Sequence, residues 1–154
     1  MDEGRKGGAS AEGVPIPAAG SAPPRGQPER PFGLHRIGQI AQVVHDVERA
    51  RAFYRGQLGM RLVHEVPERM AFFDCDGTWL MLSLPEGEGQ DHPGSVLYFD
   101  VEDMDAAYGI LGERGVPFLR APARIADMGD HELWMAFFED PDANMLALRA
   151  RVPK

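Results

Sequence analysis

The chain carries the same phrase twice, MAFFDCDGTWLMLSL from Met70 to Leu84 and MAFFEDPDANMLALR from Met135 to Arg149. Each copy reads as an apolar strand, an acidic turn and a second apolar strand, so one β-hairpin unit is used twice. A second matched pair lies upstream. VVHDVERARAFYRGQLG (Val43 to Gly59) corresponds to FDVEDMDAAYGILGERG (Phe99 to Gly115), with Asp46 opposite Asp103 and Gly59 opposite Gly115. A duplicated unit constrains the architecture before any motif does, and every residue of one half can be checked against its counterpart.

Hydrophobic patterning fills in the unit. Ile37 to Val44 is short and β-branched, as a strand requires. Asp46 then stands at a helix N-cap, Ala50, Phe53, Tyr54 and Leu58 follow at helical spacing, and Gly59 stops the helix. MRLVHEV is a strand ending at Pro67, and the hairpin after it turns at Asp76-Gly77. In the second half Ser95 to Val101 is a strand, Asp103 caps a helix reaching Arg114, VPFLR is a strand, and the second hairpin closes near Ala150. Each half is therefore βαβββ. The expected organisation is a tail over 1–34 and one domain over 35–152. That domain divides into module one (36–84), a linker (85–94) and module two (95–150). From Asp46 to Met70 is 24 residues but from Asp103 to Met135 is 32. The surplus falls around Ala123 to Trp134 and is read as extra loop.

Composition removes several functions. Net charge is −8, and the tail's four acidic residues balance its four basic ones, so the excess sits on the folded part. An acidic domain without a Lys/Arg cluster repels phosphate backbones, and nucleic acid is not an expected partner. No apolar run approaches the length of a membrane span. The single cysteine, Cys75, cannot form an internal disulfide, which fits a cytoplasmic protein. Residues 1–34 hold six of the thirteen prolines and seven of the eighteen glycines, and read as a disordered extension.

The AFYRGQLGM helix end and the FFEDPDAN turn, set in two βαβββ units, resemble the vicinal oxygen chelate superfamily. That superfamily includes glyoxalase I, extradiol dioxygenases, fosfomycin-resistance enzymes and bleomycin-resistance proteins. The resemblance runs from about Arg36 to Val152 and implies an α+β fold. In it, two curved mixed sheets enclose a cleft and the helices pack outside. Its motifs identify the fold better than the reaction. Ala143 departs from the pattern, since relatives usually place Gly in that turn. Metal-dependent relatives take one ligand from the first and one from the fourth strand of each module. Carried over by spacing to Asp46 and Asp103, the first-strand positions are Gln39 and Val96, and the hairpin strands supply Met81 and, through the repeat, Ala147. One amide, one thioether and two aliphatic groups do not suit a divalent ion, which prefers carboxylate, imidazole and water. No metal or other cofactor is expected.

Strand alternation assigns the neighbours that share this face. They are Gln39, Ala41, Trp79, Met81 and Ser83 from the first module, and Val96, Tyr98, Asp100, Ala147 and Arg149 from the second. Apolar and stacking surface with a few polar groups is the usual make-up of a small-molecule pocket, although the same side chains could simply fill the space. Asp100 and the acidic domain would favour a cationic ligand. His64 could face the cleft or a partner subunit. In the surplus segment, His131 with Glu132 or Asp130 is the candidate for acid–base chemistry. The favoured expectation is a binding protein for a partly apolar organic molecule, assembled as a homodimer. The alternative is a lyase, isomerase or dioxygenase of the same superfamily with a relocated or non-metal site.

Overall fold

The computed structural model describes Gly33, Leu34 and residues 36–154. The expectation for the tail falls almost wholly outside those residues, as does His35. Module one runs β1 (Gln39–Val43), α1 (Val47–Ala52), a π-helical turn (Phe53–Gln57), β2 (Arg61–Val66), β3 (Met70–Cys75) and β4 (Thr78–Ser83). Module two runs β5 (Leu97–Asp100), α2 (Met104–Glu113), β6 (Phe118–Asp127), β7 (His131–Glu139) and β8 (Met145–Pro153). The strands form two four-stranded sheets, ordered β1-β4-β3-β2 and β5-β8-β7-β6. In each, the first strand pairs in parallel with the fourth and the remaining pairs are antiparallel. The duplicated α+β architecture is thus the one the repeat requires.

The caps sit where the sequence places them. Asp46 accepts a hydrogen bond from the Arg49 amide at 2.9 Å, and Asp103 does the same for Ala106 at 2.9 Å. Each satisfies an amide that the first helical turn leaves without a partner. The first hairpin turns on Asp76 (φ 50°) and Gly77 (φ 86°), and Asp74 accepts from the Gly77 amide. Two successive positive φ values make the tight turn that matches the strand twist.

The two helices differ by one residue. Asp46 to Gly59 spans 13 positions and Asp103 to Gly115 spans 12. The structure absorbs the extra residue in the π-helical turn, where the Leu58 amide bonds to the Phe53 carbonyl five residues back. A single inserted residue widening one turn is how π-bulges arise.

The surplus of module two is not a loop. Ala123 to Asp127 belong to β6 and His131 to Trp134 to β7, joined by a short turn in which Gly129 has φ 93°. Pairing along β6 shifts register at three places, between Phe118 and Arg120, Arg120 and Ala123, and Arg124 and Ala126. Those irregularities, with Pro122 inside the strand, hide the period of two from which a strand is read in sequence.

The helix-facing sides of both sheets share one core. It joins Phe53, Tyr54, Phe73 and Leu82 of module one to Leu111, Phe138, Leu146 and Leu148 of module two. Phe72, Trp79 and Ala147 are also buried but stand outside that core. They occupy the opposite faces of their sheets.

Candidate functional site

Register defines those opposite faces. In the first sheet Gln39 lies beside Trp79, Ala41 beside Met81 and Val43 beside Ser83. His64 and Met81 both flank Phe72, so His64 faces the same way as the predicted set. Aromatic packing holds the surface. Phe72 meets His64 at 5.7 Å and Trp79 at 5.9 Å between centroids. In the second sheet Tyr98 lies beside Ala147 and Asp100 beside Arg149, and Tyr98 packs edge-on against Phe137 at 6.3 Å.

The four family positions behave unequally. Gln39 donates from Nε2 to the Met81 sulfur at 3.6 Å, a weak contact that nonetheless turns the amide onto the thioether. Ala147 is fully buried, and Val96 lies immediately before β5. The only hard donor atom in the set is one amide oxygen. Among the described residues, no group of three or more His, Cys, Asp or Glu side chains is placed to hold a metal ion.

A crevice of about 380 Å³ separates the β1–β4 edge of the first sheet from β5 of the second. It brings together Trp79, Val96 and Tyr98 from the predicted set, with Ile40, Leu80 and Phe99 behind them. Its walls are almost wholly apolar, and the half-exposed Tyr98 ring and the rim of the largely buried Trp79 offer stacking surface. Gln39, Ala41, Met81 and Ser83 continue along the adjoining face of the first sheet, and Asp100, Ala147 and Arg149 along that of the second.

Asp100 is already paired, at an exposed position. Arg149 holds it through Nε at 2.6 Å and Nη2 at 3.0 Å, a two-point contact that keeps the Asp100 carboxyl below its ordinary range. A cationic ligand at Asp100 would have to displace the Arg149 guanidinium.

His131 opens β7 with its side chain only 12% exposed. Nδ1 contacts Asp130 at 2.6 Å and Nε2 receives the Arg151 Nε at 3.3 Å. Asp130 is therefore the orienting carboxylate. Glu132 points to the other face of the strand, where it accepts from Arg124 and from the Trp134 indole. Six residues of strand separate His131 from Phe137, roughly 20 Å at the usual rise. His131 and Glu132 thus lie apart from the crevice. Burial, and then the Asp74 charge, push the Cys75 thiol up, which disfavours a nucleophilic thiolate.

Sequence reasoning missed one cluster. His45 contacts Asp91 of the linker through Nε2 at 2.8 Å and Asp142 of module two through Nδ1 at 3.2 Å. Arg49 adds a contact to Asp142 at 3.0 Å. The Asp142 side chain is 2% exposed, and a cavity of about 260 Å³ opens beside it. From sequence the DPDAN motif signals a turn. No local pattern signals that its second Asp reaches 97 residues back to His45.

Comparison with known proteins places the chain. Residues 36–148 match the model of the Glyoxalase/Bleomycin resistance protein/Dioxygenase superfamily, and the chain belongs to that superfamily. It is 29% identical over 126 residues to the uncharacterized protein YraH of Bacillus subtilis, covering 73% of this chain and 96% of that one. A superfamily member from Sphaerobacter thermophilus has a similar structure, with TM-score 0.63 and 28% identity over 76% of this chain and 98% of that one. Lactoylglutathione lyase from Agrobacterium tumefaciens shares the fold, with TM-score 0.63 and 20% identity over 77% and 95% of the respective chains.

Proposed function

We propose that this chain is a small-molecule-binding member of its superfamily whose cleft works without a metal ion or other cofactor. The observation that carries the reading is the donor set at Gln39, Met81, Val96 and Ala147, in which the one amide is turned onto a thioether. A divalent ion needs several carboxylate, imidazole or water ligands, and these residues do not fit one. What the site offers instead is apolar and aromatic surface at Trp79, Val96 and Tyr98. The ligand is accordingly a partly apolar organic molecule that stacks on the rings. Tyr98 is 49% exposed and Val96 37%, so the mouth of the crevice is open to solvent. A second copy of the chain meeting its rim would close the crevice over the ligand, and we read the protein as a homodimer. The lone cysteine and the net charge of −8 support a cytoplasmic protein with no nucleic-acid partner. Among the described residues no helix is long and apolar enough to cross a membrane.

Titration of Trp79 fluorescence, in a Trp134→Phe background and after chelator treatment, tests the reading. Saturable quenching by at least one member of a panel of aromatic metabolites and antibiotics is expected. Quenching that appears only when a divalent ion is restored would contradict it. A second reading, acid–base catalysis by a lyase or isomerase, is favoured by the His131–Asp130 contact at 2.6 Å. It requires a substrate seated beside His131, apart from the crevice, whose turnover His131→Asn abolishes while ligand quenching of Trp79 is unchanged.

A further inference from the structure

The repeat also reveals a space that one module fills and the other leaves open. At the 57-residue offset that relates Asp46 to Asp103, Phe53 stands opposite Ile110 and Tyr54 opposite Leu111. In module one the two rings are buried, 3% and 0% exposed, and Tyr54 packs on Phe73 at 5.8 Å. In module two the positions carry two smaller aliphatic side chains, and Ile110 is 49% exposed. A cavity of about 360 Å³ lies there, between α2 and the helix-facing side of the second sheet. Ile110 and Leu111 form one wall, Phe138 and Leu148 the floor, and Leu58 and Met60 of module one close the far side.

Nine of the ten lining residues are apolar, and the tenth is Arg114. Its Nη1 donates to the Gln57 carbonyl at 3.3 Å, while the Gln57 amide donates to the Arg114 carbonyl at 2.9 Å. This reciprocal brace fixes the guanidinium where the two modules meet. Among the described residues no carboxylate pairs with it, whereas Arg49, Arg51, Arg61, Arg124 and Arg149 each meet one. A guanidinium carries five donors in a planar fork, so several remain for an anion. An apolar cavity of this size lies within the range that accepts small ligands.

We infer that this cavity is a second ligand site, separate from the Trp79 crevice, for an amphipathic carboxylic acid. The hydrocarbon part replaces the missing aromatic rings and the carboxylate rests on Arg114. The apolar walls account for binding of the tail, and the unpaired guanidinium for selection of an acid over an alcohol or an amine.

Methyl-resolved NMR of the full chain, titrated with octanoate, octanol and octylamine, tests this with two built-in reporters. Ile110 lines this cavity and Ile40 lines the crevice. Octanoate is expected to shift the Ile110 δ-methyl saturably and leave Ile40 unmoved, with octanol weaker and octylamine without effect. Arg114→Gln should weaken octanoate about tenfold, toward the affinity of octanol, as expected when a charged hydrogen bond becomes a neutral one. Ile110→Phe, which restores the module-one residue, should block binding. If that variant does not fold, the exposed Arg114→Gln change decides the matter alone. No saturable shift at Ile110, a shift at Ile40 instead, or equal binding of octylamine and octanoate would overturn the inference.

Discussion

Tyr54 of the first module donates its hydroxyl to Asp140 of the second at 2.9 Å, both residues being buried. The Asp140 carboxylate also receives the Asn144 side chain at 2.8 Å and the amides of Asp142 and Asn144 at 2.8 and 2.9 Å. Asn144 in turn donates to the Val43 carbonyl at the end of β1. The FYRGQLG and EDPDAN motifs are therefore two halves of one joint. Burial, and then the Asp140 charge, push the Tyr54 phenol far up, so it acts only as a donor. Tyr54→Phe should cost about 1.5–3 kcal/mol in urea denaturation, the usual loss of one buried bond to a charged acceptor. Asp140→Ala should cost more, about 3 kcal/mol or above, because it leaves several buried donors without partners. Equal stability of Tyr54→Phe and wild type would show that the joint is not held this way.

Ala143 keeps the left-handed backbone that its turn demands, with φ 62°. Relatives with Gly adopt that conformation without a Cβ penalty, so the turn is strained rather than remodelled. Ala143→Gly is expected to raise stability by about 0.5–1 kcal/mol, the conformational relief minus the greater entropy lost by glycine on folding. Thermal unfolding checks the sign. A lower midpoint would count against strain at this residue.

His45 bridges two carboxylates, one through each ring nitrogen, which only the doubly protonated ring can do with both contacts favourable. The Asp91 hydrogen bond, then that of Asp142, holds its pKa above the ordinary 6.5. A raised folded-state value means the bridge contributes fully below the unfolded pKa and is lost as pH rises through the folded one. The stability advantage of wild type over His45→Gln should be largest below pH 6.5 and shrink as pH rises above it. An advantage that grows with pH would refute the bridge.

Gln42 is 1% exposed on β1, and neither atom of its amide has a hydrogen-bond partner among the described residues. The amide lies against Gly94 so closely that a Cβ there would meet its oxygen at 2.3 Å. Gln42→Met keeps the shape and removes two orphaned polar atoms. It should stabilise the protein by about 1 kcal/mol or more, read as a shifted urea midpoint. Destabilisation would mean that the amide has a partner in solution.

The parts legible in the sequence are those set by short-range chemistry. Asp46 and Asp103 cap helices, Asp76-Gly77 makes a tight turn, and the doubled MAFF phrase carries both hairpins. The inward set followed from alternation, and register places Gln39, Trp79 and Met81 together as the period of two requires. The illegible parts are those set by long-range contact or by broken periodicity. The bulged β6 concealed a strand inside an apparent loop. Asp100 looked free because nothing local announces Arg149, 49 residues away. The contacts of His45 with Asp91 and Asp142, 46 and 97 residues away, are silent in the sequence for the same reason. The cavity beside Ile110 could have been found in the sequence by comparing residue volumes across the repeat.

The central claim is that the cleft face binds its ligand without a metal, and the metal content of the purified protein tests it most directly. Protein prepared without chelator and without an affinity tag that carries metal should contain no stoichiometric divalent ion by mass spectrometry. One tightly held ion per chain, lost together with ligand binding in Gln39→Ala, would contradict the account.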